Sequence, residues 1–389
     1  MQNSTHHSSA SSQTDIKVRS NDNDDVDDFE DEDAYEEEEQ TPFLKRWRLY
    51  LPFVLLILAA IGWAISWGII RSSVSEGLDN WLLLQSKSGR ILTCPKRTVS
   101  GFPFKIEVHC TAPDGVIKTG LGTFRVRLNS LTVIGQVYSK GHYIAQAQGP
   151  LVIAFPQGGT IEVNWRVGEF SLEESQGLLT RFSSVQSDVA VRLMLANTLE
   201  PIVINADQSA LHMRPHTQLF NAQGAYQIAY SASNIANLTL NNIIGGHEGI
   251  ALSLDTTVTQ ALSLLDRVFP ENIETWRYIG GKLILSSLQM NKGARQIIAR
   301  GELKLDAMNR PEGRIDLSAS GIEQFIATIS GNNAQAAALI AGGLSLFTRN
   351  SDPNTNNTNP SLKSLPPLRL EKGRLLLGAL PLMAINPLF

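Results

Sequence analysis

Two cysteines, Cys94 and Cys110, are the first residues of this 389-residue chain that could do chemistry. A redox or thiolate metal pair favours a close spacing such as Cys-x-x-Cys, and 16 positions of separation do not provide it. In an oxidising compartment the same pair reads as a disulfide closing the turn-rich segment "PKRTVSGFPFKIEVH". The histidines offer less. His212 and His216 in "HMRPH" stand four apart, but Pro215 breaks the helix that would present such a pair to zinc. His247 and Glu248 are neighbours, which an extended strand would point to opposite faces. Asp306 and Asp316 read as charges on the solvated face of a hairpin. The chain contains no Gly-x-Ser-x-Gly elbow, phosphate-binding Gly-x-x-x-x-Gly-Lys loop or dinucleotide fingerprint. The expectation is a protein that is not an enzyme, with no cofactor and no metal.

The elements that must position these residues begin with a membrane span. Residues 51–70, "LPFVLLILAAIGWAISWGII", carry no charge, and twenty helical residues cover about 30 Å, the thickness of a bilayer's hydrocarbon core. Lys45, Arg46, Trp47 and Arg48 precede this segment and Arg71 follows it, so they are the expected interface anchors. The excess of basic residues on the N-terminal side places the N-terminus in the cytoplasm and everything after residue 71 across the membrane. A cleaved signal peptide would start nearer residue 1 and have a shorter apolar region.

Charge divides the chain in the same place. Residues 1–40 hold fourteen Asp and Glu against Lys17 and Arg19, whereas the whole chain has a net charge of only −4. So acidic and so poor in apolar residues, the tail is expected to be disordered. The rest is mildly basic, without the patch that nucleic-acid binding needs. Residues 72–98 are expected to form a juxtamembrane helix and stalk.

From about residue 99 the hydrophobic period changes to two. In "KIEVHC" Ile106, Val108 and Cys110 share a face, and in "TIEVNWRV" Val163 and Trp165 do so. Similar runs in "TFRVRL", "VAVRL", "YQIAY", "GELKLD" and "GRIDLSAS", separated by turn residues, indicate antiparallel sheet. Helices are expected only at 259–269 and 322–347, and a disordered Asn-rich loop at 349–364. The expected fold is mainly β (α+β): one N-terminal transmembrane helix, then a large, curved antiparallel sheet domain over residues 99–389 with a few packed helices. The divisions are an acidic tail (1–46), the span (47–71), the stalk (72–98) and the sheet domain. The last twelve residues, "GALPLMAINPLF", are apolar enough to require burial, a membrane or a partner.

Trp81 in a short helix, "SGR" (88–90), "SGFPFKIEV" (100–108), "GELKLDAMNRPEGRIDLSASG" (301–321) and "LRLEKGRLLLGALPLMAINPLF" (368–389) occur in an order similar to that of the bacterial family known as domain of unknown function 2125. The resemblance covers roughly residues 50–389. It implies an inner-membrane anchor with the bulk of the chain in the periplasm, and no particular activity. In architecture alone the chain also resembles the AsmA-like envelope proteins, whose long sheets form grooves for lipid. By that likeness the chain binds or conducts lipid through an apolar groove lined by Phe102, Phe104, Ile106, Val108, Val163 and Trp165. With a closed sheet the same residues are ordinary core. The alternative is an envelope scaffold that binds other proteins through the sheet domain or the acidic tail.

Overall fold

The computed structural model describes residues 43–136, 138–139, 141–237, 241, 247–266, 269–321 and 362–389. The acidic tail up to residue 42, the expected helix at 322–347 and the Asn-rich loop up to residue 361 lie outside the described residues, while residues 43–46, expected to belong to the tail, are helical. The chain divides into two compact units, Met1–Leu58 and Ala59–Phe389. In the first, the described part is the beginning of a long helix. The second holds the rest of that helix and all of the sheet.

The helix, α1 (Phe43–Lys87), has 45 residues and runs unbroken through both the expected span and the expected juxtamembrane helix. At helical rise it is about 68 Å long, more than twice the thickness of a bilayer core. From Leu49 onward it is long and apolar enough to cross a membrane, with a mean hydropathy of 2.4 over its most apolar stretch. Pro52, the tenth residue of α1, removes one intrahelical hydrogen bond, and the helix continues past it. The helix ends at Gly89, which has a φ of +77° and donates its N–H to Ser86.

Strands begin earlier than the period-two signal. β1 (Arg90–Thr93) falls within the expected stalk and β2 (Lys96–Ser100) begins in it, and their brevity, with Pro95 close by, hides their alternation. They are followed by β3 (Lys105–Thr111), β4 (Asp114–Thr119), β5 (Gly122–Gln136), β6 (His142–Ala154), β7 (Gly159–Asn164), β8 (Val167–Ser175) and β9 (Leu178–Leu195). The order continues with β10 (Ile202–Pro215), β11 (Tyr226–Ile235), β12 (Ile250–Val258), β13 (Leu283–Lys292), β14 (Arg295–Leu305) and β15 (Pro311–Ser320). Last come β16 (Lys363–Glu371), β17 (Arg374–Leu377) and β18 (Leu380–Ala384), so residues 363 and 364 of the expected loop are strand.

Among the described residues all eighteen strands join one sheet, and every pairing is antiparallel. From β8 to β18 it is a meander, each strand pairing with the next. Nearer α1 the long strands serve two short ones each. β5 pairs with β3 at one end and β4 at the other, and β9 likewise with β8 and β7.

Directly paired residues share a face, and two apolar rows cross five strands. One contains Val126, Ile153, Ile161, Leu193 and Ile202; the other Leu128, Leu151, Val163, Val191 and Ile204. A third row, Leu211, Tyr230, Leu254, Leu288, Ala299, Leu317 and Leu365, spans β10 to β16. Most of these side chains are half-buried, and among the described residues only eleven apolar residues are buried.

Local cores sit at the loops. Trp276, on the helix Glu271–Tyr278, is buried and donates its indole N–H to the Thr259 carbonyl at 2.6 Å. That helix lies just beyond the expected 259–269 helix, of which only Ser263–Asp266 is helical among the described residues. The apolar C-terminus folds back: Leu388 donates its N–H to Asn309, and Phe389 packs edge-on against Phe269 with centroids 5.2 Å apart.

The β14–β15 turn is set by Asp306. Its Oδ1 accepts the N–H groups of Met308 (2.8 Å) and Arg310 (3.0 Å), and its Oδ2 takes the Arg310 guanidinium at 2.8 and 2.7 Å. Burial pushes this carboxyl up, but the hydrogen bonds from Arg310 and Met308 outweigh it and hold the pKa below the usual carboxylate range. The depressed pKa means that the stabilisation is full above the unfolded-state value of about 3.9 and is lost as pH falls through the lower folded value. Asp306→Asn should cost about 1.5–3 kcal/mol at neutral pH, and the difference should shrink below about pH 4. Urea unfolding of the full chain in detergent at several pH values measures both.

Candidate functional site

The sheet's first strands and the far end of α1 enclose the most apolar cavity described. From α1 come Leu78, Trp81 and Leu82; from the sheet come Leu92, Val108, Ile117, Val126, Leu128, Leu131, Val133 and Leu151. Its volume is about 470 Å³, inside the range of roughly 300–1,000 Å³ typical of ligand sites. The lining is almost wholly hydrocarbon, with Arg97 and Asp114 at the margin.

A one-sided cavity over so many strands requires the apolar face to stay on one side through two irregularities. Before Ala112 the lining residues of β3 are even-numbered (Val108, Cys110), and after it the uncharged ones leading into β4 are odd-numbered (Pro113, Gly115, Ile117). Ala112 has a φ of +51°, which reverses the alternation between β3 and β4. On β5 the lining changes from Val126 and Leu128 to Leu131 and Val133, beside a register shift against β6 between Leu128 and Ser130.

Cys94 and Cys110 are bonded to each other, with Cα atoms 5.7 Å apart, and both line the cavity. The disulfide ties the segment between β1 and β2 to β3. Arg97, on β2, reaches to α1: its guanidinium pairs with Asp79 at 2.7 and 3.0 Å and contacts the Ser75 hydroxyl at 3.3 Å. A second, polar cavity of about 530 Å³ adjoins at this point, lined by Gly68, Arg71, Ser72, Ser75, Glu76, Arg97, Thr98 and Val99. Arg97 thus stands between an apolar compartment and a polar one that lies nearer the membrane-length part of the helix.

The six residues expected to line a groove separate. Val108 lines the cavity. Ile106 is buried on the same face of β3, and Val163 pairs with Leu151 and so extends the apolar face beyond the cavity. Trp165 lies in the turn after β7 and donates its indole N–H to the Ala147 carbonyl at 2.8 Å. Phe102 and Phe104 precede β3, so strand alternation does not govern them. They pack against α1 instead, Phe102 on Trp67 with centroids 5.5 Å apart and Phe104 on Trp63 at 6.1 Å. Of the expected anchors, Trp47 is exposed on α1 and the Arg71 guanidinium lies 5.8 Å from the Trp67 ring centre. The side chains of Lys45, Arg46 and Arg48 lie outside the described residues.

The contribution of α1 was not legible as a site in advance. Leu78, Trp81 and Leu82 have helical spacing on one face, a signal available in the sequence, but periodicity does not say which strands come to lie against that face. The histidines are engaged elsewhere. His212 Nδ1 lies 3.0 Å from the Ser183 hydroxyl, and His216 Nδ1 accepts the N–H groups of Gln218 and Leu219 at 3.3 Å each.

An all-antiparallel sheet packed on a membrane-length helix, with an apolar cavity between them, defines a helix-tethered β-sheet protein. The chain belongs to the bacterial family described as an uncharacterized protein conserved in bacteria (DUF2125), whose model matches residues 67–386. No curated protein and no solved structure matches it.

Replacing both cysteines with serine should lower stability by about 3 kcal/mol, the loop-closure value for a bridge of this span. Urea midpoints of the oxidised chain, the reduced chain and the double variant, all in detergent, measure this. Reduction of the unsubstituted protein should reproduce most of the loss.

Proposed function

We propose that this is a non-enzymatic, membrane-anchored protein of the bacterial envelope that holds a lipid acyl chain in the cavity between α1 and the first strands. The observation that carries the reading is the hydrocarbon lining of that cavity beside a helix able to cross a bilayer. Leu78 and Leu82 lie about 10–17 Å along the helix beyond Arg71, within reach of an acyl chain leaving the membrane. The polar cavity adjoins on the membrane side, where the Arg71 guanidinium, beside Glu76, suits a lipid's polar group, while Arg97 is held by Asp79. Beyond the cavity, the rows through Leu151, Val163 and Val191 supply a half-buried apolar face for a longer chain.

The disulfide and the basic N-terminal flank support a periplasmic location for the sheet. A scaffold role, in which the sheet binds another envelope protein, draws on the exposed Leu382 and Met383 of β18, whose described pairing is with β17 alone.

The test places a photoreactive benzoylphenylalanine at Leu131, which lines the cavity, and at Arg127, which is exposed on the same strand. Irradiation of cells should crosslink phospholipid at position 131 and not at 127. Crosslinking of protein alone at 131, or of nothing, sinks the lipid reading.

A further inference from the structure

The loop Gly101–Phe104 lies level with a part of α1 that has to be inside the membrane. α1 carries no charge between Arg48 and Arg71. If Trp63 were above the bilayer, only the fourteen residues 49–62 would remain to cross it, about 21 Å of helix against a core of about 30 Å. Trp67 and Trp63 are therefore within the membrane or its interface, about 6 and 12 Å below Arg71 along the helix.

The loop is fixed at that level by several contacts. Phe104 packs on Trp63, Phe102 packs edge-on against Trp67, and the Trp63 indole donates to the Pro103 carbonyl at 2.9 Å. A longer contact of 3.4 Å joins the Trp67 indole to the Lys105 carbonyl. Despite these contacts Phe102 and Phe104 remain 55% and 62% exposed, two large rings facing outward from the protein.

Part of the loop's backbone is paired, which lowers the cost of entering an apolar surrounding, where an unpaired polar group costs several kcal/mol. The Gly101 carbonyl accepts from the Lys105 N–H at 3.2 Å, the carbonyls of Pro103 and Lys105 take the two indoles, and Pro103 has no N–H. Gly101 itself has a φ of +110°, and a side chain there would begin 2.6 Å from the Lys105 carbonyl oxygen. Lys105 is the first charged residue after the loop, and its ammonium pairs with Glu107 at 2.9 Å.

We propose that Phe102, Pro103 and Phe104 form a second membrane contact, inserted into the lipid of the same bilayer that α1 crosses. The inference rests on α1 spanning the membrane and is independent of whether the cavity holds a lipid. Two contact points, one a helix and one a loop ahead of β3, then fix the sheet's orientation on the membrane surface as well as its distance from it.

The test uses the full chain, which among its described residues has no free cysteine, reconstituted in vesicles of phosphatidylcholine and phosphatidylglycerol. Phe104→Cys, Phe102→Cys and, as a control on the exposed face, Lys118→Cys are each labelled with an environment-sensitive fluorophore. Labels at 104 and 102 should emit to the blue of the control. They should be quenched several-fold more by a nitroxide on the lipid than by aqueous iodide, with the order reversed at 118. Iodide-dominated quenching at both 102 and 104 overturns the proposal. A blue shift at 104 without lipid quenching also overturns it, because protein burial alone would then explain the environment. Unchanged trypsin digestion of each labelled variant confirms that the fold is intact. Loop insertion without lipid capture at Leu131 would leave this proposal standing and remove the cavity's ligand.

Discussion

Water penalises an exposed apolar sheet face in proportion to its area, and a single β-layer must find a cover for whichever face it makes apolar. Over the first strands that cover is α1, the segment that is also apolar enough to cross a membrane. The other features follow from this dual use. Leu78, Trp81 and Leu82 face the strands, Arg97 clips β2 to the helix at Asp79 and Ser75, and the disulfide holds the strand segment under the helix. The cover is incomplete, since Trp81 remains half exposed and a cavity persists beneath it.

Farther along the sheet the cross-strand rows replace the helix as the organising element. Each directly opposed apolar pair contributes about 0.2–1 kcal/mol, so a row crossing five to seven strands stabilises by accumulation and needs no single dense core. That is consistent with how few apolar residues are buried among the described residues. Among the described residues the largest side chain with almost no exposed surface is Lys292, at 1%, whose ammonium donates to Asn241 Oδ1 at 2.7 Å and to the Glu248 carbonyl at 2.6 Å. A charge is held there by oxygen acceptors from a loop, an arrangement that fastens the loop to the end of β13.

The sheet and the span were legible in the sequence because each rests on a simple period. Alternation in "KIEVHC" and "TFRVRL" survives in the burial of β3 and β5, and the uncharged twenty residues lie in the apolar helix. What escaped has physical causes. Period-two reasoning assumes an unbroken strand, so it carried Phe102 and Phe104 into the face of Ile106, although the strand starts only at Lys105. It also could not foresee the reversal at Ala112, a residue with no compositional sign of positive φ. Residues 90–98 looked like a stalk because two strands of four and five residues are too short to display a period. The cavity itself joins a helix to strands tens of residues away, and only three-dimensional packing brings them together.

The unbroken length of α1 also acts as a measuring device. From Ala59 onward the helix and the sheet belong to one compact unit, and Trp63, Trp67 and Arg71 stand at fixed heights along that helix. A bilayer thicker by about 3 Å engulfs two further residues of helix, and one thinner by the same amount releases two. Because Phe102 and Phe104 are fastened to those same tryptophans, the sheet rises or sinks together with them and the mouth of the cavity moves in step. With α1 spanning the membrane and the loop inserted as proposed, bilayer thickness sets how far the apolar compartment stands from the lipid surface, which makes membrane composition a control variable.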